Sequence, residues 1–307
     1  MTNATSGLID FELWSRQSWP NMDVVGEFYH QGEIRQLFPQ KIDANDRELI
    51  CTATLLPEPA NEFDPNAVKV VVQGRHVGYL AKEIAGSYAP TLAALVRQGL
   101  LPVTPCRIYG YEYQDYDIDR RGREIRKTVF DAQARIALDE PHLIVPLNTP
   151  PSPSYRILPK GGSLQVREEE KHLDVLTPLV EAHGEGWVFA TLHRLQVTSG
   201  RSEKVLIELR IDGEPIGVLT PAMSQHFLPA VDHLEAVGRL TVARVFLKGN
   251  ALKVEAVLPF TQRNPTNSTD PGWERLREIK NMTPSLTEGV ASSHSPRSSC
   301  LLLLNLP

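Results

Sequence analysis

The residue types best suited to chemistry lie in one short polar segment in the first quarter of the chain. Within six positions it offers a carboxylate, two amides and an aromatic ring: Asp64, Asn61, Asn66 and Phe63. A ring can stack on a nucleobase, and short polar side chains can hold a sugar. The same residues suit a tight turn, in which Pro65 fixes φ and Asp64 and Asn66 bond the nearby backbone. Residue types alone leave both interpretations open.

The segments around this loop predict the elements that position it. Short runs of β-branched and aromatic residues predict strands over Val24–Tyr29, Glu48–Leu56, Val68–Val72 and His76–Leu80. An apolar stripe at helical spacing then predicts a helix, with Pro90 in its first turn and Gly99 at its end. A long hairpin is expected from Cys106–Tyr113 and Ile125–Leu138, across a charged tip that contains Arg120, Arg121 and Arg123.

The chain matches itself when it is shifted by 139 positions without a gap. Identical pairs include Leu37 with Leu176, Thr52 with Thr191, Gly74 with Gly213, Gly78 with Gly217 and Leu95 with Leu234. A second hairpin is expected around Gly249-Asn250. The shared residues are those of a scaffold, whereas the polar loop is replaced. Tyr29, Asn61, Phe63, Asp64 and Asn66 fall on Glu168, Gly200, Ser202, Glu203 and Val205. This pattern predicts a second copy that kept the fold and lost the site.

The fold class expected from these patterns is mainly β with short helices, in two tandem barrel-like domains. We expect a flexible N-terminus over 1–21, a first domain over 22–140 and a proline-rich linker over 141–162. The second copy is expected over 163–262 and a mostly disordered tail over 263–307.

Composition narrows the function. The net charge is −5, which argues against indiscriminate nucleic-acid binding and favours a short, local site. Cys51, Cys106 and Cys300 are too widely spaced for a disulfide framework or a zinc site, and the first two are expected in the core. The chain has no phosphate-binding glycine loop or metal motif, which predicts a protein that is not an enzyme, without cofactor or metal. No membrane-spanning run or signal peptide is seen, so a cytoplasmic location is expected.

Three blocks of sequence resemble the HIRAN domain, a module found on SNF2-type helicases and as free-standing bacterial and phage proteins. The blocks are Val24–His30, Asn61–Leu80 and Gly78–Pro90, and the resemblance covers about Met22 to Leu138. It implies an OB-like β-barrel with helices, whose groove captures the 3′ end of single-stranded DNA.

The resemblance also implies roles for residues of this chain. Tyr29 and Phe63 would stack on the terminal bases, and Asp64 would accept a hydrogen bond from the free 3′-hydroxyl. A 3′-phosphate would place negative charge against that carboxylate, which gives a physical basis for end selectivity. Asn61 would reach the last nucleotides, and Lys82 would neutralise a phosphate, with help from Arg75 or His76.

Two positions depart from the helicase-attached relatives. Phe28 stands where they carry a basic residue, and Tyr79 stands where they carry a histidine. Both residues either add stacking surface or are core aromatics. We include them among the DNA-contacting candidates, together with Asn66, the second amide of the loop.

The function expected from the sequence is therefore non-catalytic recognition of single-stranded DNA 3′ ends in DNA repair, replication or processing. A helicase or another DNA-processing protein is the expected protein partner. The alternative is a structural or protein-interaction module that recruits a partner through the second copy or the tail, without binding DNA. An exposed apolar patch on the second copy would favour that alternative.

Overall fold

The computed structural model describes residues 7–16, 19–43, 46–118, 124–152, 154–158, 162–199 and 202–260. The fold is mainly β with a few short helices, as predicted, and its strands form two curled sheets in which most neighbours are antiparallel. Among the described residues, no helix is long and apolar enough to cross a membrane.

The first sheet contains seven strands, and its path runs β2-β7-β6-β3-β4-β5 with β1 parallel to β6. The strands are β1 (Ile9–Glu12), β2 (Met22–Asp23), β3 (Glu48–Pro57), β4 (Val68–Val72), β5 (Arg75–Tyr79), β6 (Leu100–Ile118) and β7 (Glu124–Ile136). Its helices are a 3-10 helix (Glu27–His30), α1 (Gln31–Arg35) and α2 (Lys82–Arg97).

The second sheet follows the corresponding path, β9-β14-β13-β10-β11-β12, with β8 parallel to β13. Its strands are β8 (Tyr155–Ile157), β9 (Gly162–Gln165), β10 (Glu185–Ser199), β11 (Ser202–Ile211), β12 (Glu214–Val218), β13 (Leu240–Asn250) and β14 (Lys253–Phe260). Its helices are a 3-10 helix (Glu169–Lys171), α3 (Leu173–Val180) and α4 (Pro221–Ala236), and another 3-10 helix (Pro141–Leu143) lies between the sheets in sequence.

Alternation along the strands places one face of each sheet on a core. In β4, Val68, Val70 and Val72 are fully buried, whereas Lys69 lies on the other face. The helix α2 covers this core with a stripe that includes Tyr88 and Leu92. Pro90 lies in the middle of α2 and not in its first turn, because the helix already begins at Lys82.

The segment predicted as a strand over Val24–Tyr29 is divided differently. The strand β2 ends at Asp23, and the rings that follow are carried by the 3-10 helix. Gly26 adopts φ +84°, a left-handed conformation that turns the chain out of the strand. The second hairpin also differs from its prediction, because Asn250 pairs with Lys253 and the turn is therefore Ala251-Leu252.

The gapless alignment of the two halves is wrong upstream of β4. It holds where Val70 pairs with Gly78 and Leu209 pairs with Gly217. However, Leu55 pairs with Val70 as Leu192 pairs with Leu209, so the counterpart of Leu55 is Leu192 and not Arg194.

The 3-10 helices shift in the opposite direction. Val25 bridges Tyr79 as Arg167 bridges Val218, which places Glu168 on Gly26 and Lys171 on Tyr29. Insertions in the connecting segments conceal this in the sequence. The strand paths agree, and the assignment of the second sheet to a degenerate HIRAN repeat stays a prediction.

Residues from the segments before and after the predicted first domain pack between the two sheets. Trp14 is buried against Leu143, Trp187 and Phe189, with its ring centroid 4.7 Å from that of Phe189. Arg16 donates through its guanidinium to the buried Asp139. The expected flexible segment 1–21 and linker 141–162 thus contribute ordered, buried residues, because each carries apolar side chains that the sheets cover. The domain boundaries stay a prediction, and the tail 263–307 lies outside the described residues, as does the arginine tip of the first hairpin.

The cysteines agree in part with expectation. Cys106 is fully buried and Cys51, opposite it on β3, is partly buried against the same core. Both thiols are free, and Cys300 lies outside the described residues.

Candidate functional site

The polar loop joins β3 to β4 and is held by its own side chains. The Asn61 Oδ1 accepts from the backbone N–H groups of Phe63 and Asp64, at 2.9 and 3.3 Å. The Asp64 Oδ1 accepts from the Asn66 N–H at 2.8 Å. This is the tight turn that the residue types allow, but it does not bury the groups that suit binding. The Phe63 side chain is 92 % exposed, and Asp64 is only half-buried.

Two further exposed rings lie on the 3-10 helix after β2. Phe28 and Tyr29 are 81 and 84 % exposed, and their ring centroids lie 5.5 Å apart in an edge-to-face arrangement. The helix is fixed from below by Glu27, whose Oε1 accepts from the Ala134 N–H at 3.2 Å. Burial raises the pKa of that carboxyl group. The 3-10 helix that carries the two rings is therefore fixed to β7 through Glu27.

Tyr79 connects the loop to the sheet through one carboxylate. Its hydroxyl donates to the Glu58 Oε2 at 3.1 Å, and the Asn61 amide donates to the same oxygen at 3.4 Å. Lys69, directly opposite Tyr79 on β4, forms an ion pair with Glu58. Burial raises the pKa of Glu58, but Lys69 and the two donors together lower it below its usual value. Glu58 therefore connects the polar loop to β4 and β5 through these three contacts.

Two histidines connect the same tyrosine to the ring-bearing helix. The His76 ring lies 4.6 Å from the Tyr79 ring and 3.7 Å from the His30 ring, between centroids. The backbone N–H of His76 donates to the Glu33 Oε2 at 2.8 Å. Burial, then the positive charge of His30 and Lys69, lowers the pKa of His76. A continuous set of contacts therefore runs from the 3-10 helix to the polar loop.

The remaining two predicted residues are Lys82, on the helix α2, and Asn66, in the polar loop beside that helix. Lys82 is exposed at the first position of α2. Asn66 faces the helix at Gly86, where a Cβ would lie 3.7 Å from the Asn66 Nδ2. Within the described residues, no aromatic pair joins the Phe63 ring to the rings of Phe28 and Tyr29.

Sequence reasoning missed three members of this cluster: His30, Glu33 and Lys69. Lys69 carried a usable signal, because a lysine inside the run Val68–Val72 must lie on the outward face of a strand. The histidine pair carried none, since the contact depends on a turn at Gly26. In the described part of the chain, no three His, Cys, Asp or Glu side chains are grouped to hold a metal ion.

Exposed rings beside a polar loop and a few cations are the features of a module that binds single-stranded nucleic acid. The family model of the HIRAN domain matches residues 21–102, so the chain carries a HIRAN domain in this region. At the family level, this match indicates nucleic-acid binding. No curated protein and no solved structure matches the chain.

Proposed function

We propose that the chain recognises the 3′ end of single-stranded DNA through Tyr29, Phe63, Asp64 and Lys82. The observation that carries the proposal is the exposure of the rings on segments that are otherwise well fixed. At the positions equivalent to Phe28 and Tyr29, the second sheet has Glu170 and Lys171. The fold therefore does not require aromatic side chains there, and two exposed rings are best explained by a stacking partner.

Asp64 supports selectivity for an unmodified end. One of its oxygens is used in the turn, which orients the carboxylate, and the residue stays partly open to solvent. A 3′-hydroxyl can donate to a carboxylate, whereas a 3′-phosphate is repelled by it. Lys82 is exposed and supplies the positive charge that a terminal phosphodiester needs. A local site of this kind is compatible with a net charge of −5.

The process we propose for this activity is DNA repair, replication or processing, alongside a helicase or another DNA-processing protein. The alternative, a protein-recruiting module without DNA binding, expects an apolar patch on the second sheet. Large hydrophobic side chains exposed in its described residues are Val237 and Leu252, which lie in separate turns, one after α4 and the other between β13 and β14. The rings of the first sheet therefore favour the DNA-binding function.

Fluorescence anisotropy with matched oligonucleotides tests the proposal. The wild-type chain should bind a 3′-hydroxyl oligonucleotide more tightly than its 3′-phosphate form. Asp64→Asn keeps an oxygen for the turn but removes the charge, so it should bind both ends with similar affinity. Phe63→Ala and Tyr29→Ala should each weaken binding by roughly 1–3 kcal/mol.

Tyr116→Ala is the matched control, because that ring is also exposed but lies on the distant part of β6. It should leave the affinity unchanged. Equal affinity of the wild-type chain for the two ends, or no binding to either, would contradict the proposal.

A further inference from the structure

A separate cleft of about 220 Å³ lies in the second sheet, beside the C-terminal half of α4 and the start of β13. Among the residues that line it are Arg194, Arg210, Arg239 and His193, and Glu235 is the carboxylate among them. The volume is below the roughly 300–1,000 Å³ of pockets for drug-sized ligands, so a small ligand fits it best.

Two of the arginines are held in place and still have donors to spare. Arg194 NH1 donates to Asp232 at 2.6 Å, and Arg210 Nε donates to Glu208 at 2.5 Å. Each guanidinium has five N–H donors, so these bonds orient the groups without exhausting them. Arg239 is exposed, and its side chain has no hydrogen bond recorded within the described residues.

A buried hydroxyl adds a second, independent observation. Thr241 lines the cleft and is only 2 % exposed, yet its Oγ1 has no hydrogen-bond partner among the described residues. A buried polar atom without a partner is destabilising. A ligand oxygen that accepts a hydrogen bond from this hydroxyl would remove the destabilisation. The removal of this penalty would add to the free energy of ligand binding.

Comparison with the first sheet shows that the fold does not need these polar residues. The glycines that follow α2 and α4, Gly99 and Gly238, both have positive φ and are equivalent. The strand pairings align the rest of the cleft in the same way. On that basis, the counterparts of His193, Arg210, Arg239 and Thr241 are Leu56, Val71, Leu100 and Pro102.

The apolar counterparts are partly or fully buried. The same architecture is therefore built with ordinary hydrophobic packing in the first sheet. The second sheet carries guanidinium groups and a hydroxyl at these positions instead.

We propose that this cleft is a binding site for a phosphate monoester. The planar guanidinium fork matches the geometry of phosphate oxygens, and Thr241 would add a hydrogen bond at the base of the cleft. The phosphate group would lie between Arg194 and Arg239, because Arg210 projects from the opposite face of the sheet to Arg194 and Thr241. The site is distinct from the proposed DNA site of the first sheet and does not depend on it.

Isothermal titration calorimetry on the full chain tests the proposal, with inorganic phosphate and thymidine 5′-monophosphate as separate probes at constant ionic strength. Arg239→Ala and Thr241→Val should each weaken binding by about tenfold, because each removes one hydrogen bond to the phosphate. Lys204→Ala removes an exposed cation on the same strand as Arg210 and should have no effect. Tighter binding of the nucleotide than of phosphate, retained in Asp64→Asn and Phe63→Ala, would identify the ligand of the cleft as an ester.

Thr241→Val is nearly isosteric and removes an unpaired group, so it should fold at least as well as the wild type, which thermal unfolding verifies. Asp64→Asn should keep phosphate binding, and Arg239→Ala should keep the 3′-end preference, which separates the two proposals. Absence of binding of both probes to the wild-type chain would overturn the proposed site. Unchanged binding in Arg239→Ala and Thr241→Val would do the same.

Discussion

The imidazole rings of His30 and His76 lie 3.7 Å apart between centroids, one on the ring-bearing 3-10 helix and one on β5. Two protonated imidazoles at this distance repel each other, and Lys69 adds a further positive charge nearby. The Gly78 carbonyl oxygen and Glu58 oppose this effect in part. The pair is therefore most stable with His76 neutral, and it fixes the relative position of two elements of the proposed site.

This relationship predicts a pH dependence of stability. Burial and neighbouring charge lower the pKa of His76 in the folded chain, so the unfolded chain takes up this proton first as the pH falls. The free energy of unfolding should be highest above the unfolded pKa of about 6.5 and should fall as the pH drops through that value. Urea unfolding between about pH 5 and about pH 8 measures the slope. His76→Gln should flatten it, and an unchanged slope in that variant would disprove the role of His76.

Asn61 should act on binding by positioning the loop. Asn61→Ala removes the acceptor for two backbone N–H groups, each worth about 0.5–1.5 kcal/mol, and frees Phe63 and Asp64 to reorient. We expect weaker binding of the 3′-hydroxyl oligonucleotide and a smaller preference over the 3′-phosphate, both measured by anisotropy.

Glu62→Gln is the matched control for Asn61→Ala, since Glu62 is exposed in the same loop. It should retain the end preference. If Asn61→Ala also retains the full preference, the loop does not need this turn.

Gly78 should tolerate no side chain. A Cβ there would lie 2.6 Å from both the Val24 Cγ1 and the Val25 carbonyl oxygen, at φ +155°. Gly78→Ala should therefore destabilise the fold by about 1–3 kcal/mol or more and weaken DNA binding, because the bridge from Val25 supports the ring-bearing helix. Chemical denaturation and anisotropy measure the two effects.

Gly74→Ala tests whether a positive φ alone explains the loss. Its φ is +77°, but a Cβ there meets nothing within 4 Å. It should cost about 1–2 kcal/mol and leave binding intact. Equal effects of the two substitutions on binding would refute the close-contact explanation.

Asp139 should be the most sensitive ion-pair residue between the sheets. It is buried, and it accepts from the Arg16 backbone N–H and guanidinium at 2.9 to 3.0 Å. Burial raises the pKa of Asp139, but the bonds from Arg16 lower it below its usual value. Its contribution is thus present above about pH 4 and is lost as the pH falls through the lowered pKa.

Asp139→Ala should cost about 1–3 kcal/mol in urea unfolding near neutral pH, because it removes the acceptor of the Arg16 backbone N–H and of its guanidinium, which then keeps Glu185 as its ion-pair partner. Asp23→Ala breaks an exposed pair with Arg135 and should cost less than about 1 kcal/mol. Comparable losses from the two substitutions would show that burial does not set the strength of the Arg16 pair.

The sequence predicted the sheets better than the site. The strand β4 is correct to the residue because alternation in Val68–Val72 has one interpretation. The strand β3 deviates by one residue at its end, and β5 deviates by one residue at each end. The conformation after β2 depends on Gly26, which residue type alone does not assign a positive φ. The gapless repeat fails upstream of β4 because insertions in the connecting segments shift the register. The identities of Leu37 with Leu176 and of Thr52 with Thr191 therefore arise by chance.

The composition of the site followed the same division. Local chemistry identified Asn61, Phe63 and Asp64, since the turn and the exposed ring are set within six residues. Glu58 begins the loop after β3, His30 ends the 3-10 helix and Lys69 lies on β4, so their contacts exist only once the sheet has formed. Sequence spacing contains no measure of that convergence.

The position of β6 has a practical consequence for anyone who dissects the chain. Residues 21–102 include β2 to β5 and α2, but they omit β1, β7 and all except the first three residues of β6. A fragment cut there would leave the edge of β3 that pairs with β6 without its hydrogen-bond partners. The 3-10 helix that carries Phe28 and Tyr29 would also lose its hydrogen bond from Ala134. Such a fragment should be insoluble or unfolded, and a usable N-terminal half would have to begin before Ile9 and extend past Ile144.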